Sequence, residues 1–576
     1  MKRVTTPTLV LLGLLIAFGL SSVDFNRPAP VTAHTMASAA NSTKHDQGQT
    51  PATAPGIQPL FKNLSNHQHP ISTQNPLAQR YFDQGLNLAF GFNHAAAARS
   101  FKQAIALDPN CAMCHWGVAL VLGPNINAPM NQDDLPAAWQ HLQQAIALSK
   151  EASQPEQAYI QALAKRYPAQ KIDDRKPFDL AYANAMRDLA KRYPNDLDAA
   201  TLFAEALMDT TPWDYWQENG QPKPEGAEII ATLESVLKRN PNHPGANHFY
   251  IHAVEKERPE LGVAAADRLM KLAPDAGHLV HMASHIYIRV GRYQEAVIAN
   301  QRGIAADDAY IAQCHAEGIY PLAYMPHNHH FLWFAALMSG QSNLALQAAE
   351  RTGQTDAQLM RNPELAGILQ HFYVIPLFTY TRLGEWDKIL ALPAPDADLK
   401  YPSGIWHYAR GMAWLGKGQS QPAAGELKQL QAIAADPALQ ELKVFGINSF
   451  ASILNIAVEV LSGQLAAQQK DYPQAIAHLQ QAVKLEDALT YTEPADWYQP
   501  TRQALAGMLL RTNRPAEAEQ VYRDDLKIYP ENGWSLHGLV QTLRAQGKTQ
   551  EAEAVQKRFA AAWKHADIQL VAFESE

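Results

Sequence analysis

An all-α, helical-repeat fold is what this sequence of 576 residues predicts, and three observations predict it. Apolar residues recur with helical spacing from Leu77 to near the C-terminus. No stretch sustains the two-residue alternation of a half-buried strand between turn signals. Related residues also return at a fixed interval: Ala518 and Ala552 lie 34 residues apart, as do Leu509 and Leu543. A hydrophobic content of 47% is enough for a well-packed interior, and a formal charge of -8 offers no basic field for nucleic acid or an anionic membrane surface.

The first element is not part of the array. Lys2 and Arg3, an apolar run from Leu9 to Leu20 and then small and polar residues have the layout of a secretory signal over residues 1–33, with "VTA" at Val31–Ala33 as a cleavage site. Counted from Thr8 to Val23, the same run is long enough for an uncleaved anchor, the one route to a membrane that the sequence offers. Export to a periplasm is therefore expected, either free or anchored to the inner membrane and facing outward. Residues 34–75, rich in Pro, Thr, Ser, Ala and Asn, read as a flexible linker.

The array follows. From Ala78, Tyr81, Gly85, Ala97, Phe101, Ala104 and Pro109 fill signature positions of a 34-residue helix–turn–helix pattern. Pro530 holds the same place as Pro109 near the other end. Between them the pattern is carried by Pro194, Pro241 and Pro274 and by turn glycines Gly291, Gly340, Gly384 and Gly418. These residues resemble the tetratricopeptide-repeat (TPR) superfamily, and the C-terminal part is similar to uncharacterised exported bacterial TPR-repeat proteins. The resemblance implies a right-handed superhelix of helix pairs, an α-solenoid whose first helices line a concave groove, and a scaffold that binds a protein or peptide partner. Repeat starts are expected near 78, 112, 197, 244, 277, 326, 370, 404, 456, 499 and 533. A divergent array then covers 76–455 and C-terminal TPR repeats cover 456–576. Insertions at Gly123–Asp134, Thr210–Pro224 and Tyr310–Tyr324 are expected to cap or line the binding face.

The resemblance also says which residues face the groove: positions 2, 5, 9 and 12 of each first helix. In the repeats starting at 244, 277 and 326, seven of these twelve positions are histidine: His248, His252, His278, His281, His285, His327 and His330. With only 22 histidines in the chain, chance clustering is a poor account of this. Imidazole is the commonest metal ligand among side chains, and two on successive turns can share an ion. The set points to Zn, Fe, Mn or Cu, with Glu205, Glu255 and His371 as further groove ligands. The competing reading is a tight groove in which the imidazoles bond to one another, to Tyr250, Tyr287 and Tyr324, or to backbone.

Cys111, Cys114 and His115 form a literal C-x-x-C-H, the attachment pattern of c-type haem. The alternatives are a disulfide across one helical turn, a pair of thiols at a helix N-terminus with lowered pKa, or redox chemistry or metal ligation by the two sulfurs; the place of the motif at the joint between two repeats, where haem would displace core, weighs against haem. Cys314 and His315 fall in the third insertion and carry no supporting nucleophile signature. Three functional readings follow: a scaffold with a histidine metal site, a cofactor-free interaction module, or a haem or metal-dependent redox protein. No H-E-x-x-H or comparable hydrolase motif is present, so catalysis is left open.

Overall fold

The computed structural model describes residues 58–313 and 320–570. The signal or anchor segment, residues 34–57 of the expected linker, and Cys314 with His315 lie outside the described residues. What is described is an array of antiparallel helix pairs. The pairs are α1 (Pro76–Phe90) with α2 (His94–Leu107), α3 (Ala112–Val121) with α4 (Leu135–Leu148), and α5 (Gln154–Leu163) with α6 (Lys176–Arg192). Next come α7 (Leu197–Met208) with α8 (Pro224–Arg239), and α9 (Pro244–Val254) with α10 (Pro259–Leu272). The sixth pair sets a broken first helix, α11 (Gly277–His281) and α12 (Ala283–Arg289), against α13 (Tyr293–Gln313). Then follow α14 (Met325–Met338) with α15 (Ser342–Thr352), α16 (Ala366–Leu383) with the short α17 (Trp386–Ala391), and α18 (Lys400–Gly416) with α19 (Ser420–Ala434). The last three are α20 (Phe450–Gln468) with α21 (Tyr472–Asp487), α22 (Thr501–Arg511) with α23 (Pro515–Ile528), and α24 (Gly533–Ala545) with α25 (Thr549–Ala562). A hairpin of two short strands, Lys443–Val444 and Asn448–Ser449, precedes α20.

Local chemistry sets these pairs. Gly291, Gly340, Gly384 and Gly418 all have positive φ, between 73° and 77°, at the turn that ends a first helix. Glycine reaches this left-handed region without a Cβ clash and releases the chain into the second helix. Within and between pairs, small residues let a large one fill the gap: a Cβ on either Gly85 of α1 or Gly117 of α3 would lie 2.6 Å from the Phe101 ring of α2. Prolines open many of the helices at their first turn, where the missing N–H has no intrahelical partner anyway.

The pair α5 and α6 is an addition to the expected repeats. It lacks a turn glycine, and residues 164–175 make the connection between its two helices, so the pattern fails although the packing is retained. A second difference concerns residues 58–75, expected as linker. They form a strap along the N-terminal repeats: Phe61 N–H donates to Gln84 Oε1 (2.8 Å), His69 N–H to Asp83 Oδ1 (3.0 Å) and Ile71 N–H to Gln79 Oε1 (3.0 Å). Polar composition misled here because the backbone is held by side chains of α1 instead of by a ladder of its own.

The array also curls back on itself. Trp534 Nε1 on α24 donates to the Leu337 carbonyl (2.8 Å), and Asp567 accepts from the Ser342 and Asn343 amides at the start of α15 (2.6 and 3.0 Å). One apolar core runs from Leu64 to Tyr498, and a second spans Ala466 to Val555. The long apolar helix α20 is two-thirds buried within this packing, as a core helix is. Removing the ring that joins three helices, by Phe101→Ala, is expected to destabilise the first repeats by roughly 3–5 kcal/mol. Amide hydrogen exchange should accelerate in α1 to α3 and stay unchanged in α22 to α25.

Candidate metal centre

The first helices of three consecutive pairs bring six of the seven expected histidines together. His248 and His252 stand on successive turns of α9, with ring centroids 4.8 Å apart. His278 and His281 come from α11, and His285 from α12 beyond the break at Met282. His327 comes from the first turn of α14. His248–His278, His281–His285 and His281–His327 centroids are 5.1, 5.0 and 5.0 Å apart, and His252–His285 5.5 Å. The donor atoms of His248, His252 and His278 all lie within 4.8 Å of one another, as do those of His281, His285 and His327.

The face they line is covered. His248 and His281 are fully buried, and His252, His278 and His285 nearly so. Phe92, in the turn between α1 and α2, packs 4.6 Å from His248. The insertions contribute aromatics: Trp213 meets His252 edge-on at 5.0 Å while its Nε1 donates to the Ile126 carbonyl of the first insertion, and Tyr324 meets His278 at 5.0 Å. The loop between α21 and α22 reaches in from the C-terminal side, placing the Glu493 carboxylate 2.9 Å from His285 Nδ1. An open histidine-lined groove, expected from the repeat register, is therefore an enclosed chamber.

Hydrogen bonds fix how the rings present themselves. His248 Nδ1 lies 2.6 Å from the Phe90 carbonyl, which can only accept. His281 Nδ1 lies 2.6 Å from Asn300 Oδ1, and Asn300 is oriented by donating its Nδ2 to the Ala296 carbonyl (2.8 Å). His252 and His285 both aim Nδ1 at Glu255, at 3.1 and 2.7 Å. All four rings thus carry the proton on Nδ1 and turn Nε2 inward, the arrangement that outer partners impose on metal-ligating histidines. His248 Nε2, His252 Nε2 and both nitrogens of His278 are buried with no hydrogen-bond partner, and so is His327 Nδ1. Each such nitrogen left dry costs roughly 1–3 kcal/mol. His281 Nε2 and His285 Nε2 face each other at 3.1 Å, a contact that two lone pairs cannot make without a proton or cation between them.

Electrostatics agree with this division. Burial, reinforced by neighbouring imidazoles, holds His248, His252, His278, His281 and His327 well below the ordinary histidine value, so these rings stay neutral and keep a free lone pair. His285 goes the other way: burial opposes its charge, but Glu255 and Glu493 outweigh it and push it up to about 9. Burial, then the charge of Glu255, raises Glu493 to about 7.

Other expected residues lie elsewhere. His330 stacks on Trp333 and sits 5.7 Å from His371, whose Nδ1 meets the Tyr401 hydroxyl at 3.0 Å; neither belongs to the two groups of three histidines. Glu205 belongs to a buried cluster with Asp209, Asp179 and Arg166, where burial and the Asp209 charge raise it well above the usual carboxylate range. Glu255 is in the chamber, facing His252 Nδ1 and His285 Nδ1. Cys111 and Cys114 are joined in a disulfide, one of the alternatives for the motif, and His115 pairs with His141 through their Nδ1 atoms (3.0 Å).

A further histidine cluster went unpredicted. His67 Nε2 and His69 Nδ1 on the strap, and His243 Nε2 at the start of α9, lie 2.8, 2.8 and 3.0 Å from the Asp198 carboxylate, at the edge of a cleft of about 810 Å³. His-x-His in the strap was its one sequence signal, masked by the linker-like composition around it. This cluster closes without an ion. His243 Nδ1 accepts the Ala246 N–H as the cap of α9, so its Nε2 carries the proton and donates to Asp198.

No protein-family model matches the sequence, and no curated protein matches it. Among solved structures, the chain is similar to the human IFIT1 dimer with m7Gppp-AAAA (13% identity, 85% of this chain and 91% of that one, TM-score 0.31). It is also similar to yeast Tom70 (11%, 83% and 96%, TM-score 0.30) and to the APC/C hetero-tetramer Cut9-Hcn1 (12%, 81% and 76%, TM-score 0.29). Nothing about ligands is carried over from likenesses this distant.

The strap cluster generates a pH prediction. His69 is raised above its ordinary 6.5: burial pulls it down, but the bond to Asp198 and the charges of Asp198, Asp196 and Asp83 outweigh that. Its contribution is complete below 6.5 and is lost as pH rises through the raised value. Asp198 is held well below its ordinary 3.8, because hydrogen bonds from His243, His67 and His69 overcome burial, so its contribution is lost only in strong acid. Protection of the Phe61, His69 and Ile71 amides, corrected for intrinsic exchange, should be greatest near pH 5 to 6 (between those two ordinary values) and fall above neutrality. Asp198→Asn should remove that pH dependence and roughly 1.5–3 kcal/mol of protection.

Proposed function

We propose that this protein is a helical-repeat scaffold with a transition-metal centre in its interior, held by His248, His252, His278, His281, His285 and His327. One observation carries the reading. Four buried imidazoles are locked by outer partners with Nε2 inward, two of those nitrogens have no partner, and two more face each other at 3.1 Å. A cation would satisfy the unpartnered nitrogens of His248 and His252 together with one of His278, whereas the His281–His285 contact closes with either the extra proton that His285 holds or a cation. The imidazole majority favours zinc or copper over manganese, which prefers oxygen.

A scaffold of this type is suited to protein interaction, and its outer helix faces are available for that. A peptide in the histidine-lined groove has less support, since it would have to displace Glu493 and the insertion aromatics. Export belongs to the same proposal: the N-terminal segment has the layout of a signal, and an oxidising compartment suits the Cys111–Cys114 disulfide.

Full-length protein purified without a polyhistidine tag should hold at least one equivalent of zinc or copper by metal analysis, and His248→Ala with His252→Ala should lower it. Less than about a tenth of an equivalent of any transition metal, after growth with these metals supplied, ends this reading. Asn300→Leu leaves every ligand in place but frees the His281 ring. It should weaken metal affinity roughly 10–100-fold without loss of helical signal in circular dichroism.

A further inference from the structure

We infer that the chamber takes two ions, one on His248, His252 and His278 and a second on His281, His285 and His327, so that it is a dinuclear all-imidazole centre. The inference rests on the metal-centre reading above and goes beyond it in count, grouping and ligand chemistry.

Six imidazoles are too many for one ion of the class that imidazole suits. A zinc or copper ion takes four ligands in a closed site and three protein ligands in an open one. The histidines divide into two such triplets, each with its donor atoms within 4.8 Å of one another. The first takes two ligands from α9 and one from α11; the second takes one each from α11, α12 and α14. The triplets touch at two places, His252 against His285 and His278 against His281, with centroids 5.5 and 5.7 Å apart. Two ions so held are near neighbours, each with a position left open for a small bridging ligand such as hydroxide.

Glu255 is placed to serve both halves. Its Oε1 accepts from His252 Nδ1 of the first triplet and its Oε2 from His285 Nδ1 of the second, at 3.1 and 2.7 Å. One carboxylate therefore orients a ligand of each ion while coordinating neither, and Glu493 adds a second negative charge beside His285. Paired carboxylates against neutral ligands offset the charge that two buried cations bring. The rival arrangement is a single ion on His252, Glu255 and His285, whose donor atoms also lie within 4.8 Å. With both histidines coordinating through the Nδ1 atoms that face Glu255, it would leave His252 Nε2 buried and unsatisfied and both nitrogens of His278 still without a partner.

Stoichiometry separates the readings. Full-length protein without a polyhistidine tag is stripped with a chelator and titrated with Zn(II), followed by calorimetry and by metal analysis after gel filtration. Two equivalents are expected in the unaltered protein, one in His278→Gln, one in His327→Gln, and two, more weakly held, in Glu255→Gln. One equivalent in the unaltered protein overturns the pair and leaves the metal-centre reading standing. Zero equivalents overturns both. Two equivalents retained in both His278→Gln and His327→Gln overturns the assignment to these triplets. Circular dichroism and gel filtration accompany each variant, and the unaltered protein's count is decisive even where a variant fails to fold.

Discussion

A buried imidazole has two nitrogens and can protonate only one of them while neutral, so each ring needs one acceptor and one donor or cation. That constraint organises the centre of this array. The Phe90 carbonyl, Asn300 and Glu255 supply the acceptors for four rings. They are drawn from the end of α1, from α13, which pairs with α11 and α12, and from the C-terminal end of α9. What the acceptors leave over is a set of inward lone pairs, and the repeat geometry stacks those from α9, α11, α12 and α14 into one chamber. The covering parts, Phe92, Trp213, Tyr324 and the Glu493 loop, keep water from serving as the missing donor.

The strap cluster is a control within the same molecule. Three imidazoles again converge, but on a carboxylate that accepts from all of them, and His243 accepts a backbone N–H on its other side. Proton bookkeeping is complete there without an ion. Histidine clustering by itself thus separates nothing; the tautomer imposed by the outer partner does, because it decides whether the ring offers a proton or a lone pair to the cluster.

Much of the fold was legible because its constraints are local. Gly291, Gly340, Gly384 and Gly418 are needed where the backbone turns left-handed, and a residue without a Cβ announces that from sequence alone. The stripe of His248, His252, His278, His281 and His285 was legible through helical spacing combined with the repeat register. The rest depends on contacts far apart in the chain. Glu493 meets His285 across more than two hundred residues of array, and nothing near Glu493 marks it as an inner residue. Enclosure of the chamber follows from the curl, which no single repeat encodes. His330 and His371 show the limit of the register rule: both occupy predicted groove positions, yet His330 stacks on Trp333 and His371 bonds to the Tyr401 hydroxyl.

Ion binding here would also act on the array as a whole. Stacked repeats contact mainly their neighbours, so such proteins open piecewise unless something ties distant repeats together. The histidines come from three consecutive pairs and Glu493 from a loop that follows three further pairs, which makes the chamber a tie between the N-terminal and C-terminal halves. An ion that binds only the assembled chamber stabilises that assembly by RT ln(1 + [L]/Kd), about 2.7 kcal/mol at a hundred times Kd. The gain falls on the opening of α9 to α14 and of the Glu493 loop together, because releasing any one of them removes ligands or their orienting partners. A chamber lined by five neutral imidazoles and His285 is weakest without the ion and most cooperative with it, so occupancy and closure of the superhelix are two readings of one equilibrium.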